Sequence, residues 1–245
     1  MLCRWPDLLF ARLQEHPATN SIAILNQAAG GNRILEDGLG PNVLSRLDRD
    51  ILSHSGVQYV MIFEGVNDIG IAPADPKSQE ALGTRLIAAY HQISTRVHAR
   101  GIPIFAATLT PFGDPAVGST CDGQAQNATA DANPADANEE DTTVTPYSHP
   151  MRERTRQRVN EWIRTSGVFN AVIDFDEVLF DPREPSLLAK EYDSGDHLHP
   201  NEAAFRALAE AFPLDVFVKF QDSADEVPWS TVMLTSERSV GALRL

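Results

Sequence analysis

Long apolar runs are missing from this sequence. None of its 245 residues belongs to a stretch near the ~20 that a membrane-spanning helix needs, so no membrane span is expected. Cysteine is scarce: Cys3 and Cys121 allow one bridge at most, which excludes a disulfide scaffold and leaves the redox compartment open. Positive charge is also short, with 20 Lys and Arg against 34 Asp and Glu for a net charge of −14. A nucleic-acid surface usually shows as a Lys/Arg patch, so nucleic acid is not an expected partner. The amino end lacks an export signal, which would need a basic start and an unbroken apolar stretch. Met1-Leu2-Cys3-Arg4-Trp5-Pro6-Asp7 is interrupted at once by Pro and Asp.

What is present can bury a core. Hydrophobic residues make up 42% of the chain, and one α/β domain fills this length. Trp5, Leu8, Leu9 and Leu13 share one face of a helix with Pro6 in its first turn. Leu44, Leu47 and Ile51 mark a second helix. Leu82, Leu86, Ala89, Tyr90, Ile93 and Val97 mark a long third, closed by Arg100-Gly101. Met151, Thr155, Val159, Trp162 and Ile163 give a fourth, and Ala203, Ala204, Leu208 and Ala211 a fifth opened by Pro200. Between them lie short apolar runs that read as buried strands: Ile22–Leu25, Gln58–Phe63, Ile102–Ala107 and Ala171–Phe175. Strands alternate with helices and are continuously apolar, the pattern of a parallel sheet covered on both faces. No internal repeat is found.

Two segments stand apart. From Gly113 to Pro150 there is no Lys or Arg, and Ala, Asp, Asn, Thr and Glu dominate. Such a stretch offsets little of its ordering entropy by burial, so residues 113–150 read as a disordered acidic insert, the first place a protease should cut. The second is the tail 213–245, where Val216-Phe217-Val218 and Thr231-Val232-Met233-Leu234 look strand-like but have no assigned role.

Ligands of an open parallel sheet bind at the carboxyl ends of its strands, and three such ends carry unusual residues. The first strand runs into Asn26-Gln27-Ala28-Ala29-Gly30-Gly31-Asn32-Arg33. The second runs into Glu64-Gly65-Val66-Asn67-Asp68. The last helix is preceded by Asp193-Ser194-Gly195-Asp196-His197-Leu198-His199-Pro200. Each has a structural reading: a glycine turn with positive φ, an Asn/Asp turn with a helix cap, and a polar helix N-terminus. Three at one end of one sheet point instead to a site. His197 competes with His199 as a base, and Asp193 with Asp196 as its partner. A metal reading would use Asp196, His197 and His199, but it lacks a second cluster of ligands.

These blocks resemble those of the SGNH hydrolases, also called GDSL-type esterases and lipases, over roughly Arg4 to Phe212. Gly31 before Asn32-Arg33 matches the glycine of the second block, although Ala28 stands where many relatives have glycine. Gly65-x-Asn67-Asp68 matches the third block, and Asp196-x-x-His199-Pro200 the fifth. The string Tyr192–Asn201 is especially like the secreted, carbohydrate-associated esterases of that family.

The resemblance implies a flavodoxin-like three-layer α/β/α sandwich over residues 1–212 and a small-molecule or carbohydrate ester as substrate. It implies no cofactor and no metal. A serine would attack the ester carbonyl, His199 would take its proton, and Asp196 would orient the ring. Gly31 N–H and the Asn67 amide would form the oxyanion hole. The family's nucleophile belongs to a Gly-Asp-Ser motif at the end of a first strand, and no Gly-Asp-Ser occurs in these 245 residues. The resemblance therefore implies a front-truncated record of an ester hydrolase, secreted in its complete form. The alternative is a pseudoenzyme that keeps the cleft and binds esters or carbohydrates without hydrolysing them. In the family's sheet the absent strand lies between the strands at Ile22 and Tyr59, so the chain alone is expected to fold poorly.

Overall fold

The computed structural model describes residues 4–117 and 147–225. Both cysteines, the sequence between 118 and 146, and the strand-like run at Thr231 lie outside them.

Three strands form the central sheet: β1 (Val60–Ile62), β2 (Ile104–Ala107) and β3 (Ala171–Ile173). They run parallel in the order β1-β2-β3, with Val60 opposite Ile104 and Phe105 opposite Ala171. Successive strand side chains point to opposite faces, and here each face has its own core. Val60, Ile62, Ile104 and Ala106 join one apolar cluster, while Met61, Phe105, Ala107 and Ile173 join another. Burial on both faces is why these strands read as unbroken apolar runs.

Helices cover the two faces. The first cluster is closed by α2 (Val43–Leu47), α4 (Pro76–His98) and α5 (Pro150–Thr165). The second is closed by α1 (Trp5–Glu15), α7 (Glu202–Ala211) and α8 (Asp215–Asp225). The architecture is the α/β/α sandwich that the alternating pattern predicts. α4 buries its stripe from Leu82 to Val97, and its start is set by Asp75, whose carboxylate accepts from Ser78 N–H at 2.9 Å. Two short helices sit at the carboxyl ends of strands, α3 (Val66–Ile71) after β1 and α6 (Phe175–Leu179) after β3. An antiparallel pair follows, β4 (Phe180–Asp181) with β5 (Glu184–Leu188).

Three expectations are corrected. Ile22–Leu25 is not a strand, and Leu25 is 67% exposed. The segment has the residues of a buried strand, but among the described residues no strand pairs with it, and Ile22 bonds instead to Thr19 and Gln14. Val216-Phe217-Val218 belongs to α8, where Val216 and Phe217 complete the second core. In sequence such a short stretch of a 3.6-residue stripe looks the same as a strand's apolar run. The ends of the acidic insert are also placed. Phe112 and Asp114 are buried, Gly113 N–H donates to Ser186 carbonyl at 2.8 Å, and Asp114 N–H donates to Ser148 Oγ at 2.8 Å.

A cavity of about 870 Å³ opens between Ile22–Gln27 on one side and β1 on the other. Leu9, Phe212 and Phe217 line it from one layer, and Val43, Leu47 and Ile51 from the other.

Candidate active site

The carboxyl end of β1 leads straight into Glu64, Gly65 and α3. Here the two acids of the block have separate tasks. Asp68 is buried and turned inward, where its carboxylate accepts Ile34 N–H at 2.8 Å and Leu35 N–H at 3.0 Å. That pair of bonds ties the Gly31–Leu35 loop to α3. Burial pushes the Asp68 carboxyl up, and the two N–H donors pull against it. Asn67 faces the loop itself, and its Nδ2 donates to Asn32 carbonyl at 2.9 Å. Gly31 adopts φ +67°, a left-handed turn that an L side chain would strain. Arg46 of α2 holds the other side of the loop. It donates to Asn32 Oδ1 at 2.7 and 3.0 Å and to Gln27 carbonyl at 2.8 Å, and pairs with Asp50.

Tyr147, at the far end of the acidic insert, donates its hydroxyl to Asn67 Oδ1 at 2.9 Å. The two bonds to Asn67 settle which way its amide points: oxygen toward Tyr147, nitrogen toward the Gly31 loop. Tyr147 reaches that place over Gly70, where a Cβ would overlap its ring. Nothing in the insert's composition indicates this role.

The remaining candidate residues lie in the loop from Asp193 to Asn201. Asp196 accepts Ser194 Oγ–H at 3.0 Å, Leu198 N–H at 3.1 Å and His199 N–H at 2.8 Å, all on Oδ1. Its Oδ2 meets His199 Nδ1 at 2.6 Å. An imidazole that gives Nδ1–H to a carboxylate keeps Nε2 as an acceptor, and the His199 side chain is 71% exposed. Partial burial opposes ionisation of Asp196, but the bonds from His199, Leu198 and Ser194 outweigh it and hold the carboxyl far below its usual range. The helix cap is Asn201, whose side chain accepts Ala204 N–H at 3.0 Å. Asp196 and His199 are therefore not caps, and Pro200 precedes α7 rather than opening it, bridging to Asp193.

His197 belongs to a second pair. Its Nδ1 lies 2.6 Å from Asp193 Oδ2, and Asp193 Oδ1 accepts the N–H groups of Gly195 and His197. Each aspartate thus serves its own histidine. Among the described residues no three His, Cys, Asp or Glu side chains are grouped to hold a metal ion. Ser194 sits on the acid side of the dyad, with its hydroxyl engaged by Asp196 rather than by His199.

Glu64 was not anticipated. It lines the large cavity at the end of β1, and its backbone carbonyl accepts the hydroxyl of the fully buried Tyr90. Burial, and next Asp68, push its carboxyl up to about 8 despite Arg46 and Gly65 N–H. Glu64 is thus biased toward its protonated form.

The structure joins Gly31 to Asn67 through the Asn32 carbonyl, and Asp196 to His199 directly. Among the described residues no hydrogen bond links the one pair to the other.

Comparison with known proteins bears on the family and the fold. The family model of GDSL-like lipase/acylhydrolase matches residues 3–212. No curated protein matches the chain. Among solved structures, a G-D-S-L family protein of Desulfitobacterium hafniense, described as lipolytic, superposes with a TM-score of 0.52 at 16% identity, covering 85% of each chain. A Bacteroides fragilis protein described as an acylhydrolase gives a TM-score of 0.51 at 11% identity, covering 86% of this chain and 82% of its own. At such identities the two structures bear on fold alone.

Proposed function

Because this chain belongs to the GDSL-like lipase and acylhydrolase family, whose chemistry is ester hydrolysis, we propose that its cleft is the acid–base and oxyanion part of a serine esterase site. His199 is the general base, Asp196 orients it and stabilises its charged form, and Gly31 N–H with Asn67 Nδ2 receives the oxyanion. One observation carries the reading: His199 Nδ1 on Asp196 Oδ2 at 2.6 Å, with Nε2 left as the proton acceptor. Tyr147 supports it by holding the Asn67 amide with its nitrogen toward the Gly31 loop.

The reaction begins when a serine hydroxyl adds to the ester carbonyl while its proton passes to His199 Nε2. The oxygen that gains charge is held by the two N–H donors. Collapse expels the alcohol, which takes the proton from His199. Water then repeats the sequence on the acyl-enzyme. The Tyr192–Asn201 string favours esters of carbohydrates as substrates.

These 245 residues hold no Gly-Asp-Ser, and the one serine of the acid–base loop is bound to Asp196. On their own they are therefore inactive as an esterase and retain the cleft for binding. In a serine hydrolase where it was measured, loss of the nucleophile cost about 2 × 10⁶ in kcat. The test is hydrolysis of p-nitrophenyl acetate and an acetylated sugar, by residues 1–245 and by a version extended with a strand ending in Gly-Asp-Ser. The extended version should turn over, and His199→Ala should abolish most of its rate. If 1–245 already turns over and His199→Ala leaves the rate unchanged, the reading is wrong.

A further inference from the structure

Leu39 is the most exposed of the large apolar side chains among the described residues, at 89%. A single exposed leucine is ordinary, and what sets this one apart is its place. It stands between Gly38 and Gly40 and lies against Gly31, where a Cβ added to the glycine would come within 2.7 Å of Leu39 Cδ1. The turn that presents it is tied to the Gly31 loop. Asn32 Nδ2 donates to Pro41 carbonyl at 2.8 Å, and the Arg33 guanidinium donates to Asp37 carbonyl. Within the turn, Asp37 Oδ1 accepts the backbone N–H and Nδ2 of Asn42 at 2.9 and 2.7 Å. Gly38 N–H donates to Gly40 carbonyl at 3.1 Å. Leu39 is thereby fixed beside Gly31 while most of its surface stays in water, and that apolar surface gains by being covered.

We propose that Leu39 is a specificity residue, which covers the acyl chain of the substrate and makes the site select acyl groups longer than acetyl. The inference rests on the reading of Gly31 as an oxyanion donor, and the geometry of acyl transfer then supplies the assignment. The tetrahedral carbon carries four groups: the serine oxygen, the oxyanion, the departing alcohol oxygen and the acyl carbon. The departing oxygen takes its proton from His199, so the alcohol lies on the histidine side. The oxyanion is held at Gly31 N–H. The acyl carbon is the group left to run past the glycine, and the apolar surface it meets there is Leu39. An acetyl methyl ends one bond from the carbonyl carbon and leaves Leu39 in water, whereas a longer chain covers it. The histidine side offers polar groups instead, with Asp193 paired to His197 and Asp196 to His199 and Ser194. The substrate class is therefore the ester of a polar alcohol with a fatty acid longer than acetate.

Two series of esters separate the sides of the site. p-Nitrophenyl acetate, butyrate and hexanoate vary the acyl part alone, and ethyl and hexyl acetate vary the alcohol alone. In the version extended with Gly-Asp-Ser, kcat/KM for the hexanoate should exceed that for the acetate. Leu39→Ala should lower that ratio about ten-fold, the low end of what one methylene is worth in an apolar pocket. Leu39→Met, which keeps the apolar length, should preserve the ratio, as should Val218→Ala at an exposed apolar position of α8. Residues 1–245 hold no Gly-Asp-Ser, so ethyl acetate and ethyl hexanoate can be titrated onto them without turnover. The hexanoate should shift the Gly31 amide signal at the lower concentration, and Leu39→Ala should remove that advantage. An unchanged hexanoate-to-acetate ratio in Leu39→Ala, with turnover intact, overturns this inference alone, as does equal binding of the two ethyl esters by residues 1–245. A change confined to hexyl against ethyl acetate overturns the acyl assignment and puts Leu39 on the alcohol side. Failure of the extended version to hydrolyse any of the esters overturns the esterase reading, and this inference with it.

Discussion

Asp68, Asp193 and Asp196 are all aspartates of the conspicuous blocks, and their partners separate them. Asp68 spends both oxygens on backbone N–H groups of the Gly31–Leu35 loop, so Asp68→Ala should loosen that loop and weaken the oxyanion site indirectly. Asn67 is the proposed oxyanion donor. In the serine-bearing form Asn67→Ala should lower kcat about 10²–10³-fold, the usual loss for one oxyanion donor. Tyr147→Phe should lower kcat less and leave KM nearly unchanged, because it frees the amide to turn without removing it; steady-state kinetics on both variants separate the two. Glu64 gives a pH signature. Its folded carboxyl is raised from 4.5 to about 8, so between those values the folded chain holds a proton that the unfolded chain has released. Stability must then fall as pH rises through that window, and it levels off above about 8. Glu64→Gln should flatten the curve and raise stability at pH 8; urea midpoints from pH 5 to 9 test this.

Among the elements, α5 has a role beyond its apolar stripe. Arg156, on its inner face, is fully buried and pairs with Glu153 and with Asp176 of α6. It also donates to Leu109 carbonyl at 2.8 Å, and Arg164 reaches Asp174 and Asp176 from the same helix. Thr108 Oγ1 donates to Asp174 and accepts Asp176 N–H. This network locks the carboxyl ends of β2 and β3 together. Removing one partner strands a buried charge, so Arg156→Ala should cost about 3–5 kcal/mol, enough to empty the folded state of this chain. Replacing Arg156 by Met together with Asp176 by Leu should cost less, since the charges left, Glu153 and Arg164, are only part-buried and keep Gln157 and Asp174 as partners. Urea denaturation of the two variants distinguishes them.

At the scale of the whole molecule, the open slot governs stability. A cavity of about 870 Å³ between two apolar layers forgoes the burial that a strand would provide. Five apolar side chains at ~1.5–3 kcal/mol each would contribute roughly 8–15 kcal/mol, and a typical domain has only ~5–15 kcal/mol in total. The chain alone should therefore melt broadly and aggregate through the exposed edge of β1. Scanning calorimetry and size-exclusion chromatography check this; a sharp, reversible transition of a monomer with nothing bound would contradict it. By itself the sequence determined the alternation of helices and strands and the helix stripes, because periodicity is a local property, and it displayed Asp193, Asp196, His197 and His199 while leaving open which acid serves which ring. It also displayed Gly31 and Asn67, whose turn chemistry is local. Only the tertiary structure decided that, among the described residues, Ile22–Leu25 pairs with no strand, since a strand exists by virtue of a neighbour that its own residues do not encode. The same holds for Tyr147 on Asn67, 80 residues away, and for Arg156 between Glu153 and Asp176. Such contacts depend on which surfaces the packed layers bring together, and a polar residue in a polar stretch carries no local sign of them.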